Sequence, residues 1–175
     1  MQISVKPQFC ILFVLLLLVV PLPLFVGWIT AIIIHELCHI GGVLLCGGKI
    51  LNITVGAGGI CMESTPLTEG KRIFTILCGP VGGLLPMLFG RFFPFVAICC
   101  WGLSIYNLLP LLPLDGGRVL KILIRNEKHF LWAQRILLLI LTLLALYGAF
   151  FLRLGILPLV FVGFFWVRNR KFPCK

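Results

Sequence analysis

Apolar runs follow one another along nearly the whole chain, at 7–20, 24–46, 71–89, 92–109, 130–151 and 154–167, with few polar residues inside them. Hydrocarbon offers no water to a backbone N–H or C=O, so a segment of this kind closes its own hydrogen bonds by forming a helix. A spanning helix takes roughly 20 apolar residues, and tilt or local thinning of the bilayer accommodates shorter ones. The expected fold is therefore an all-α membrane protein with about six transmembrane helices, residues 1–175 forming a single domain. With 61% of residues hydrophobic and 11% charged, an ordinary soluble protein is excluded.

Charge placement supports that count and sets an orientation. With six spans, the N-terminus, the loop at 47–72, the stretch 114–135 and the C-terminal tail share one side, and they hold thirteen of the fifteen lysines and arginines. Arg91 and Arg153 fall on the other side. Basic residues concentrate on the cytoplasmic side, so both termini are expected there. The net charge of +10 does not indicate nucleic acid, because the basic residues sit between apolar runs and build no stripe with exposed aromatics. Lys6 and the apolar run after it have the look of a secretion signal, but no small-residue cleavage pattern follows and a retained first span is expected. The eight cysteines lack paired metal-binding spacing, and most read as small hydrophobes with no disulfide framework.

Between the second and third spans the pattern changes. Ile50-Leu51-Asn52-Ile53-Thr54-Val55 alternates imperfectly and passes through Gly56-Ala57-Gly58-Gly59 into Ile60-Cys61-Met62-Glu63. Two short β-branched segments about a glycine turn predict a small β-hairpin or re-entrant loop.

The second span also carries Ile34-His35-Glu36-Leu37-Cys38-His39-Ile40. Histidines four apart share a helix face and can reach one metal ion, with the intervening glutamate beside them able to act on a metal-activated water. A strongly polar side chain at the bilayer centre costs roughly 2.5–3.5 kcal/mol on insertion scales, and metal binding is a reason to carry that cost. Of the chain's three histidines and five acidic residues, three fall within these five positions. Cys38 lies about 60° round the helix from His35, bordering such a metal.

A catalytic zinc site typically takes three protein ligands. His129 stands beside Lys128 in the basic stretch, Glu63 and Glu69 belong to the loop, and Glu127 to the charged stretch, which leaves Asp115. It follows Asn107-Leu108-Leu109-Pro110-Leu111-Leu112-Pro113-Leu114 and precedes Gly116-Gly117. Two prolines three apart remove backbone donors, and the glycine pair permits close approach or positive φ, so the helix is expected to unwind through this stretch and line a cavity. Asp115 would then lie at the cytoplasmic end of the fourth span, on a level with the histidines. The plainer alternative is a proline kink with an aspartate capping a cytoplasmic helix.

Together, His35-Glu36-Leu37-Cys38-His39 and the run from Asn107 to Gly117 resemble the site-2 protease family of intramembrane zinc metalloproteases. The short first span, the glycine-bearing loop and the six-span count look closest to its bacterial sporulation branch, the stage IV protease that releases a sigma factor from a membrane-tethered precursor. The resemblance implies one zinc per chain held by His35, His39 and Asp115, and Glu36 as general base and acid. It implies Asn107, Pro110, Pro113, Gly58 and Gly59 on the substrate side, the last two in a loop where a substrate strand pairs. Core spans would be 24–46, 71–89 and 92–117. The implied partners are a membrane-spanning or membrane-tethered protein substrate, a membrane regulatory partner and the lipid bilayer, in a bacterial cell membrane or the membrane around the forespore. Three departures stand out. Cys38 replaces the glycine usual in the first motif, and Gly83 stands where many members place an asparagine three residues after Pro80. The nucleotide-sensing domain of sporulation members is not expected after Lys175. Rival readings are a zinc hydrolase of non-peptide substrates, an inactive metal-keeping scaffold or chaperone, and a metal transporter.

Overall fold

The computed structural model describes residues 2–5, 7–56, 59–151 and 157–169. Each expected apolar run contributes a helix: α1 (Pro7–Val19), α2 (Leu22–Leu45), α3 (Glu69–Gly82), α4 (Pro94–Leu108), α6 (Glu127–Phe150) and α7 (Leu157–Asn169), with a short α5 (Asp115–Leu123) before α6. Three stretches are long and apolar enough to cross a membrane: α2, α3 with the 3-10 turn that follows it, and α6. They mark the chain as an integral membrane protein. At 13, 15 and 13 residues, α1, α4 and α7 are shorter than the roughly 20 that a full crossing takes.

The chain divides into two compact units, Met1–Leu108 and Leu109–Lys175. In the first, α2 packs against α3 and α4. Proline in the first turn opens α2, where its missing N–H has no helical partner to lose. Gly47, at φ 77°, closes the helix, with its N–H donating to the Leu44 carbonyl and that of Gly48 to Val43, both at 2.9 Å. Only glycine takes this left-handed turn without strain, and it swings the chain into the sheet. The hairpin forms as expected, β2 (Ile50–Gly56) running antiparallel to β3 (Gly59–Ser64) with Gly56 opposite Gly59. The N-terminal β1 (Gln2–Val5), which no sequence pattern announced, adds a parallel strand on the other edge of β2.

Two boundaries differ from expectation. The third helix does not run α-helical to residue 89: α3 ends at Gly82 and a 3-10 turn covers Leu85–Phe89. Gly82, Gly83 and Pro86 are the weakest helix formers available, and together they interrupt the hydrogen-bond ladder. The expected unwinding is also narrower than 106–118. Regular structure lapses only over 109–114, and Asp115 already begins α5, so Gly116 and Gly117 are helical. Gly117 serves close approach instead of positive φ, since a Cβ there would stand 2.2 Å from the Leu111 carbonyl carbon.

In the second unit α6 packs on α7, and Phe130, Gln134, Leu138, Ala145 and Gly148 are the buried residues of α6. Trp166 donates to the Thr142 hydroxyl at 3.2 Å, giving the indole N–H a partner within an apolar helix pair. Many leucine, isoleucine, valine and phenylalanine side chains of both units are exposed, as suits helices surrounded by lipid.

Candidate metal centre

One stripe of α2 is buried at a spacing of four: Gly27, Ala31, His35, His39 and Val43. Residues four apart stand one above another on a helix, so the period that hides the small residues also carries both imidazoles inward. His35 and His39 are 4% and 7% exposed. Their rings are nearly perpendicular, at 86°, and their Nε2 atoms lie 3.1 Å apart. Two ligands about 2.0–2.1 Å from one tetrahedral zinc would be about 3.3 Å apart, so the pair is close to the spacing a shared ion requires.

The orientation of His39 is set by α3. Its Nδ1–H donates to the Thr75 carbonyl at 2.9 Å, which leaves Nε2 with its lone pair for a metal. One turn later on α3, a Cβ on Gly79 would lie 2.2 Å from His39 Nε2. Only glycine leaves room for the ring. Neither Thr75 nor Gly79 was singled out for this role by sequence reasoning. The available signal was Gly79-Pro80 inside an apolar span, together with the four-residue spacing from Thr75.

The same helix borders both Cys38 and Gly83. Cys38 packs against Gly82, where a Cβ would come 2.2 Å from its sulfur, so the larger residue in the first motif faces a glycine on α3. At position 83 glycine leaves space that the Ser104 hydroxyl of α4 fills, 2.5 Å from where a Cβ would be. Ser104 is 1% exposed, and its hydroxyl has no hydrogen-bond partner among the described residues.

Asp115 is the first residue of α5 and is 6% exposed, with Arg118 Nη1 at 3.5 Å from its Oδ1. His35 and His39 are thus buried together on α2 in the first unit, and Asp115 is buried at the start of α5 in the second. Two imidazoles and a carboxylate are a donor set that suits zinc. Glu36, half-buried, follows His35 on α2. His129 is exposed, in keeping with a surface reading.

The expected substrate-side residues are scattered by comparison. Asn107 is half-buried in the last turn of α4 and its Nδ2 donates to the Leu103 carbonyl at 3.0 Å. Pro110 and Pro113 are half-buried in the irregular stretch before α5. Gly59 opens β3, and Gly58 lies outside the described residues.

Comparison with known proteins agrees with this architecture. No curated protein sequence matches the chain. Residues 86–148, which include Asn107 and Asp115, match the family model of Peptidase family M50. Among solved structures, the chain is similar to the Site-2 Protease from Methanocaldococcus jannaschii, at 21% identity and a TM-score of 0.62, over 94% of this chain and 87% of that one. The chain is thus similar to Peptidase family M50 over residues 86–148, and its fold is similar to that of a site-2 protease.

Proposed function

We propose that this protein is an intramembrane zinc metalloprotease, with residues 1–175 acting as one catalytic domain. The observation that carries the reading is the buried His35–His39 pair on α2, its Nε2 atoms 3.1 Å apart. The match to Peptidase family M50 and the site-2 protease fold support it. One zinc per chain would be held by His35, His39 and Asp115. When bound there, zinc polarises the scissile carbonyl and brings the pKa of water down to about 7. Glu36 takes the proton of the attacking water and delivers it to the departing amine nitrogen, so that one amide bond is replaced by a carboxyl group and an amine. Thr75 keeps His39 in the tautomer that leaves Nε2 available.

The substrate is a segment of a membrane-spanning or membrane-tethered protein. Its backbone amides are closed into a helix until it unwinds, so helix-breaking residues near the cleavage point favour reaction. β3 lies at the edge of the sheet, and an extended substrate segment pairing there beside Gly58 and Gly59 would be held open by main-chain hydrogen bonds. Asn107, with Pro110 and Pro113, orients the chain to be cut. The fuller reading has six spans, both termini in the cytoplasm of a bacterial cell, and release of a tethered transcription factor under a membrane regulatory partner, as in sporulation signalling.

Glu36→Gln tests the chemistry, because it keeps the side chain's size and leaves both histidines in place. In detergent with one tethered peptide, zinc content should be unchanged and cleavage should fall at least about 10²–10⁴-fold. Normal turnover by the variant would sink the mechanism. A zinc-loaded parent that cuts no membrane-spanning peptide would turn the assignment toward an inactive scaffold.

A further inference from the structure

Gln134 stands about two turns into α6, in a candidate membrane span, and is 1% exposed. A buried amide in such a helix is costly unless both its donor and its acceptor are used. Both are. Its Nε2 donates to the Pro110 carbonyl at 2.7 Å, and its Oε1 accepts from the Leu112 N–H at 3.1 Å.

Those two backbone groups belong to the stretch where Pro110 and Pro113 interrupt helical pairing. Unpaired peptide groups away from water are strongly unfavourable, so an irregular turn next to membrane helices requires a partner of this kind. The other side of the turn is closed by α5. A Cβ on Gly117 would stand 2.2 Å from the Leu111 carbonyl carbon and 2.4 Å from the Leu112 nitrogen, and Leu114 N–H donates to the Leu111 carbonyl at 2.8 Å. Residues 110–112 are therefore held between one side chain of α6 and the glycine face of α5. Asp115, the first residue of that helix, takes its position from this packing.

We propose that Gln134 is a positioning residue for the Asp115 carboxylate, its amide setting the path of 110–112 and hence where α5 begins. The inference rests on the metal-site reading above. It assigns to a helix that supplies no ligand the task of placing one.

The test uses the full chain in detergent, loaded with zinc or with Co2+. Gln134→Met keeps the length of the side chain and its packing but removes both hydrogen bonds. Gln134→Asn keeps the amide but is one methylene too short to reach both backbone groups. Gln134→Glu, whose buried carboxyl stays neutral, retains a donor and an acceptor. Zinc affinity, measured against a competing chelator, should fall about 10–100-fold in the Met and Asn variants. Their Co2+ absorption bands should shift, and Gln134→Glu should restore affinity and spectrum together. Should Gln134→Met fail to fold, the Asn and Glu variants carry the same comparison. Parent-like affinity and spectrum in every folded variant lacking the double hydrogen bond would overturn the role of Gln134 alone. A parent chain that binds neither zinc nor Co2+ would overturn the metal site itself, and this proposal with it.

Discussion

His35 and His39 stand on one uninterrupted helix of 24 residues, whereas Asp115 follows the irregular stretch 109–114. On α2 the geometry comes from the helical period: a spacing of four stacks the two imidazoles, and α3 need only supply a carbonyl at Thr75 and a gap at Gly79. Around Asp115 no period is at work. The turn depends on an amide from α6, more than twenty residues away, and on a glycine of α5. A histidine pair on a regular element is set by local structure, and a carboxylate after an irregular turn is set by whatever holds the turn.

Removing ligands should have the largest effect and would break the comparison most directly. His39→Ala and Asp115→Ala are each expected to lose the zinc that the parent retains through dialysis, read as metal per chain. Full zinc in Asp115→Ala would show that a different group closes the site. Next in size is Gly79→Ala, whose Cβ would displace the His39 ring. A loss of about 10–100-fold in zinc affinity is expected, the range seen when a ligand's orienting contact is lost. Gly102→Ala is its control, with nothing within 4 Å of the added carbon, and should bind as the parent does. Equal affinities for the two alanine variants would remove α3 from the account of His39.

Gly117→Ala probes the irregular side. The new carbon would meet the backbone of Leu111 and Leu112, which cannot step aside as a side chain tip can. Overpacking of this kind costs about 1–3 kcal/mol, to be read from the shift in unfolding midpoint in detergent. No shift would mean that the turn yields easily and does not fix Asp115. The smallest effect should come from Cys38→Ala. Its sulfur packs on Gly82, so zinc binding should hold and stability should change by about 1 kcal/mol or less. Loss of zinc in that variant would place Cys38 at the metal after all.

Much of the fold could be read from the residues in order. The apolar runs marked the helices, the β-branched segments about Gly56–Gly59 marked the hairpin, and the spacing of His35 and His39 marked a shared buried face. The helix ends were less legible. Gly82, Gly83 and Pro86 end α3 early, yet their apolar neighbours continue the hydropathy signal to residue 89. Asp115 was reached by excluding other acids and by its proline-glycine setting, but whether it sat in an unwound segment or at the start of a helix depended on packing that no pattern encodes.

Hydrophobicity and helical period are properties of neighbouring residues, so the sequence by itself determined that this is a helical membrane protein with a paired-histidine face. Tertiary structure alone decided that Thr75 and Gly79 seat His39, that Gly82 makes room for Cys38, that β1 joins the sheet, and that Gln134 caps the turn before Asp115. The physical reason is the same in each case. Such contacts require a small residue or a freed backbone group on one element to meet a particular side chain or strand of another, and their separation in sequence repeats with no period.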